Sequence, residues 1–253
     1  MKFRISNFFF SSLTWATLAV TIQAQPSANP YEVLSRTLMP IAGVFAPQSA
    51  QHALSATLVL ERMTDLPPEF AGTRVELALQ PPEHLLIRGQ FQGEPAAVCR
   101  VDQEIWLTPG SKLQALINPE PVKKKKKKHG EGLAPLVLPF PPQQLVLLPM
   151  LFQVKDAGEE SGLRVLDVQL MPELARNLGI EQWHARISVD AEAKPVRIEV
   201  ARPDWSIVLK VEQLAYAPEL PAATWTAPAG GDVLRLTGAQ ARQWLDAVIR
   251  KLN

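Results

Sequence analysis

The chain has 253 residues, 47% of them apolar and 20% charged, which is enough apolar material to bury a core and too little charge for a disordered polyelectrolyte. Twenty-three prolines against 13 glycines exclude a long-helix bundle or coiled coil, because an internal proline removes a backbone donor and breaks helices. A single cysteine, Cys99, excludes an internal disulfide framework and a cysteine-rich zinc site.

Met1 to Ala24 reads as a secretory signal. Lys2 and Arg4 form a positive start, Phe8 to Ile22 is an apolar stretch, and Ile22-Gln23-Ala24 offers cleavage after Ala24. Gln25 follows, with no cysteine near the cut to carry a lipid, so the expectation is a soluble protein exported to the periplasm. The alternative is an uncleaved anchor, for which the segment is short against the ~20 apolar residues of a span. Removing those two cations from 26 leaves 24 Lys and Arg against 25 Asp and Glu. Six of the 24 are consecutive, Lys123 to Lys128, so the rest of the mature chain carries 18 against 25. One basic tract on an acidic body disfavours a nucleic-acid surface.

From Tyr31 to Phe45 the apolar residues Val33, Leu34, Leu38, Ile41 and Phe45 fall at helical spacing, with Asn29-Pro30 as cap and first turn. Pro40 is expected to kink or end that helix. From Ala53 the period becomes two: Leu54, Ala56, Leu58 and Leu60 alternate with Ser55, Thr57, Val59 and Glu61. Asp65-Leu66-Pro67-Pro68 turns the chain, and Val75, Leu77 and Leu79 then oppose Arg74, Glu76 and Ala78, which predicts a hairpin. Further strands are expected at His84 to Phe91, Pro95 to Val101 and Glu104 to Thr108, closed by Pro109-Gly110.

Residues 119 to 142, with the lysine run and the series Pro135, Pro139, Pro141 and Pro142, predict a long exposed loop, followed by a short apolar helix over Pro142 to Phe152. Strands return at Leu163 to Leu170, Trp183 to Asp190, Pro195 to Ala201 and Ser206 to Leu214. The segment 237 to 252 predicts an amphipathic helix in which Thr237 and Gln240 form a capping box ahead of the stripe Trp244, Leu245, Val248, Ile249 and Leu252.

Motifs for catalysis are missing: no G-x-S-x-G, no phosphate-binding glycine loop and no H-E-x-x-H. His52, His84, His129 and His184 are scattered, so nothing nominates a metal ion or a cofactor. Cys99 lacks the electropositive niche that would make a thiolate, and core packing is its expected role. The expectation is a protein that is not an enzyme. The lysine tract has two readings, a hydrated spacer held open by like-charge repulsion or a contact for an anionic membrane.

The order of elements resembles the periplasmic lipoprotein-carrier (LolA/LolB-like) superfamily. The resemblance rests on Gly72-Thr73-Arg74-Val75-Glu76-Leu77, on Gln80-Pro81-Pro82-Glu83-His84-Leu85-Leu86-Ile87-Arg88, on Asp102 to Pro109 and on the closing stretch Leu220 to Val233, in which Asp232-Val233 matches the family's final pair. Gln103 stands where the family has a turn glycine, and the lysine-rich loop and the last helix depart from its pattern. The resemblance implies an α+β fold in one domain after residue 24, an incomplete, curved antiparallel barrel whose concave face is covered by helices. It also implies a carrier that shields acyl chains of a lipoprotein or another lipid and passes them on between membranes. A sensor that binds lipid or lipopeptide on the same scaffold and regulates a membrane partner is the alternative.

Alternation nominates the lining residues for such a cavity: Leu58, Leu60, Leu77, Leu79, Ile87, Phe91, Trp106, Leu166, Trp183, Ile187, Ile198 and Leu209. The membrane-facing candidates are Lys123, Lys124, Lys125, Lys126, Lys127 and Lys128.

Overall fold

A computed structural model describes residues 29–46, 49–65, 70–91, 93–116, 133–137, 142–238 and 240–244. The segment read as a signal, the lysine tract and the end of the expected last helix lie outside these residues.

Helix α1 (Pro30–Gly43) begins where the sequence requires: the Asn29 side chain accepts from the Tyr31 amide at 3.0 Å, and Pro30 occupies the first turn, where a missing N–H costs nothing. The helix runs through Pro40 for three more residues. Its buried face, Val33, Leu34, Thr37 and Ala42, lies on the sheet, and the Thr37 hydroxyl donates to the carbonyls of Val33 (3.0 Å) and Ala193 (2.9 Å), which pins the helix to a distant turn.

The sheet has eleven antiparallel strands built as two arms. The first arm is the meander β1 (Ala53–Met63), β2 (Arg74–Gln80), β3 (His84–Phe91), β4 (Glu94–Val101) and β5 (Glu104–Thr108). The second is β6 (Phe152–Glu160), β7 (Leu163–Leu170), β8 (His184–Val189), β9 (Pro195–Arg202) and β10 (Trp205–Ala217). β1 pairs with β10 to join the arms, and β11 (Leu234–Thr237) adds to β5, giving the order β11-β5-β4-β3-β2-β1-β10-β9-β8-β7-β6. No described pairing joins β11 to β6, so the sheet is an open half-barrel rather than a closed one.

The seam between the arms is long and irregular. Register shifts fall between Thr57 and Leu58 and between Leu60 and Arg62. Each bulge adds one residue to one strand and increases the local twist. They also reset the alternation, so Leu60 and Met63, three apart in sequence, share a face with Leu209 and Ile207 opposite them.

The two faces are covered differently. On one, α1 packs over Val154, Leu166, Val168, Ile187 and Val189, and its last turn continues to Val44, Leu54 and Ala56. On the same face Leu133 and Ala241 close Ile105 and Leu107. On the other face, the segment ending in the 3-10 turn Ala222–Trp225 covers Ala78, Leu86, Ala97, Cys99 and Trp106.

Four elements were not expected from the sequence. Helix α2 (Gly110–Leu116) follows β5 directly, with the Asp232 carboxylate accepting from the Ser111 amide (2.9 Å) and hydroxyl at its first turn. Those bonds hold the Asp232 carboxyl below its ordinary range. Gly110 lies so close to β11 that an added Cβ would come within 2.7 Å of Leu234 Cβ, closer than carbon atoms pack. Helix α3 (Pro172–Leu178), β6 and β11 are the others. The expected helix over Pro142 to Phe152 is a 3-10 segment, Pro142–Leu151, and Phe152 opens β6.

One expectation about these elements is corrected. Thr237 is the last residue of β11, paired with Glu104, and does not cap the final helix; the Gly238 carbonyl accepts from the Arg242 amide instead, and the helical residues begin at Gln240. Gln103, at the position of a turn glycine, clamps a remote segment: its side chain donates to the Leu133 carbonyl (3.3 Å) and accepts from the Leu133 amide (2.6 Å).

Candidate functional site

Cross-strand partners share a face of an antiparallel sheet, so the register assigns the nominated residues without appeal to shape. A single row links Leu60 to Leu209, Leu209 to Ile198, Ile198 to Ile187 and Ile187 to Leu166. A second runs from Ala56 to Leu77 and from Leu77 to Ile87. Leu58, opposite both Val75 and Val211, and Leu79, opposite Leu54, belong to the same helix-bearing face.

The twelve nominated residues divide into five groups. Leu166 and Ile187 are buried under α1, and their surface is already filled by the protein's own Val33 and Leu34. Leu58, Leu60, Leu77, Leu79, Ile198 and Leu209 are half-buried, and Ile87 is 44% exposed. Trp183 lies just before β8 at the far end of this face, against Trp205. Phe91 is the last residue of β3, opposite Glu94, and its side chain lies outside the described residues.

Trp106 belongs to the other face, because its partners are Cys99 and Arg235. It is 3% exposed, and its indole N–H donates to the Trp225 carbonyl at 2.9 Å. A buried indole needs such a partner, and here the closing segment supplies it. Alternation along β5 correctly separates Trp106 from Ile105 and Leu107. Both sides of that strand are buried, so the pattern does not identify which side faces the helices.

The far part of the helix-bearing face contains apolar residues that alternation did not nominate. Met63, Val75, Val200, Ile207 and Val211 are half-buried and fill the row positions between the named ones. The bulge between Leu60 and Arg62 displaces Met63 from a strict two-residue period along β1. Together with Leu60, Ile198 and Leu209 these side chains make an apolar trough across β2, β1, β10 and β9, bordered by Leu58, Leu77 and Leu79, which pack against the Val44, Leu54 and Ala56 cluster at the end of α1.

The chemistry elsewhere is bland. Cys99 is fully buried, and burial pushes its thiol up to about 12, far from a nucleophile at neutral pH. Arg100, on the opposite face, donates Nε to the Asp102 carbonyl at 3.2 Å and Nη1 to the Ala134 carbonyl, and burial lowers its pKa. No group of three or more His, Cys, Asp or Glu among the described residues is placed to hold a metal ion. A hollow of about 350 Å³ on the outer face of β6 to β9 is lined by Gln153, Lys155, Asp167, Gln169, His184, Arg186 and Glu199, all polar or charged. Among the described residues no helix is long and apolar enough to cross a membrane.

No protein-family model matches the chain, and no curated protein matches it. Solved structures do resemble it. The lipoprotein LppX of Mycobacterium tuberculosis is 10% identical, with 76% of this chain and 96% of that chain covered and a TM-score of 0.38. LprF of Mycobacterium bovis is also 10% identical, over 79% of this chain and 97% of that one, at 0.40. A LolA superfamily protein from Nitrosomonas europaea is 11% identical, over 79% and 99%, at 0.31.

Proposed function

We propose that the chain is a non-enzymatic periplasmic carrier that takes acyl chains of a lipoprotein or another lipid onto the trough and releases them to a second membrane site. The observation that carries this reading is the half-buried state of Leu58, Leu60, Ile198 and Leu209, with Ile87 44% exposed, beside a region of the same face that α1 seals. A chain of methylenes laid on such a surface gains ~0.8 kcal/mol for each one removed from water. Cover from the described residues is incomplete there, which on this reading lets the ligand leave by the path it entered. Reversible loading is what a carrier requires.

The lysine tract Lys123 to Lys128 belongs to this reading as the attachment to an anionic bilayer, worth on the order of 1 kcal/mol per lysine close to the surface. On this reading residues 1 to 24 are an export signal and the carrier works in the periplasm.

The test is chemical. Mature protein purified without detergent is extracted with organic solvent, and the extract is analysed by mass spectrometry. Retained acyl lipid, lost in a Leu58→Glu, Leu209→Glu double variant that still melts cooperatively, is the expected result. An extract free of lipid, together with no uptake of labelled lipid from vesicles, overturns the reading.

A further inference from the structure

We propose that Trp183, Arg202 and Trp205 form an anion site at the open end of the trough, so that the ligand is an amphiphile with a negatively charged headgroup rather than a neutral acyl group. This rests on the acyl-binding reading above.

Arg202 and Trp205 face each other across the turn between β9 and β10. Alternation places them on the face of the next pair inward, Val200 and Ile207, and of the pair after that, Ile198 and Leu209. The Arg202 guanidinium carbon lies 5.4 Å from the centroid of the Trp183 ring, and the Trp183 and Trp205 rings are 5.5 Å apart, inclined at 56°. An aromatic face attracts a cation and holds the flat guanidinium in a fixed plane. So held, the fork is set for a carboxylate or phosphate, which it binds with paired hydrogen bonds.

The counter-charge now present is weak. Arg202 Nε is shielded from solvent and lies 2.9 Å from Asp204 Oδ1, yet it is not aligned for a hydrogen bond. The Asp204 side chain is 75% exposed, and an ion pair to so wet a partner contributes little. A ligand anion that aligns with the fork therefore displaces little.

Distance connects the cation to the trough. From Trp205 to Val211, six residues at ~3.3 Å each, the strand carries ~20 Å of track, long enough for an extended fatty-acyl chain. Tryptophan is suited to the junction, since its ring packs on hydrocarbon while its N–H meets water.

The experiment compares three ligands on the mature full chain: oleate (a carboxylate), dioleoyl phosphatidylglycerol (a phosphodiester) and dioleoylglycerol (neutral). Each displaces a fluorescent fatty alcohol. Expected is a preference of about tenfold or more for an anionic ligand, abolished in Arg202→Gln, partly kept in Arg202→Lys, with dioleoylglycerol binding unchanged in both. A preference for only one anion identifies the headgroup as carboxylate or phosphodiester, and either result supports the site. Equal affinity for all three ligands in the wild type, or an equal loss for all three in a folded Arg202→Gln, overturns it. Should that variant fail to fold, salt dependence of wild-type binding decides: salt weakens only the anionic ligands if the proposal holds, and an insensitive anion preference overturns it. Failure of every amphiphile to bind removes the acyl-binding reading itself, a result distinct from equal binding.

Discussion

The molecule contains two tryptophan pairs, and the contrast between them separates what holds the fold from what the fold offers to a ligand. Trp106 and Trp225 are 3% and 8% exposed, are joined by a 2.9 Å hydrogen bond, and are packed with Leu86 and Cys99. Trp183 and Trp205 are half-buried, inclined to each other, and set around a cation instead of a carbonyl. The first pair has no surface left to give. The second still has surface to bury.

The largest effect is expected at the sealed pair. Trp106→Ala removes a filled volume and a hydrogen bond together and should cost about 3–5 kcal/mol, read from denaturant unfolding. The same variant should open Cys99 to a thiol reagent at pH 8, whereas in the wild type the thiol, pushed up to about 12, stays inert while the protein is folded. Rapid labelling of the native wild type would show that the pair does not seal this face.

Next comes Gly110→Ala. The added methyl meets Leu234 Cβ at 2.7 Å and the backbone of β11, which cannot yield as a flexible side chain would. A loss of about 1–3 kcal/mol is expected, with β11 separating first from β5 in hydrogen exchange.

Trp205→Ala should cost less, about 1 kcal/mol, because part of its ring already meets solvent. A cost equal to that of Trp106→Ala would break the comparison and make both pairs structural.

The smallest effect belongs to Asp232→Asn, seen in pH dependence. Hydrogen bonds from Ser111 depress the folded-state pKa of Asp232. The stability they give is therefore present above the unfolded carboxylate value of about 3.9 and lost as pH falls through the lower folded value. Acid titration of the melting temperature should show a shallower fall in the variant than in the wild type.

How legible these features were in the sequence depends on where each signal resides. β3, β5 and β7 have the expected bounds, because their apolar periodicity ends at turns written locally, such as Pro81-Pro82 and Asp102-Gln103. β6 was missed because it is an edge strand: after Phe152 and Val154 its residues are mostly polar and solvated, so the alternation fades. The cap of α2 comes from Asp232, 121 residues along the chain from Ser111, and no local pattern records it. α3 was readable: Pro172 opens it and Gly179, at φ 67°, closes it, the usual start and stop pair. At the candidate site, alternation identified the row from Leu60 to Leu166. The seam bulge between Leu60 and Arg62 hid Met63, and strand β5, buried on both sides, let Trp106 be nominated for the lining although it lies on the other face.

The single seam between the arms has a consequence for how the chain reaches this state. Each arm is a run of neighbouring strands whose pairings close loops of a few to a few tens of residues. β1 and β10 meet only after more than a hundred intervening residues have been brought round, from Met63 to Trp205. Loop closure on that scale is entropically dear and slows the search for non-local contacts. The trough crosses this seam, so it is complete only once the arms have joined. A half-made chain, with its arms formed but unjoined, has no continuous apolar track from β2 to β9.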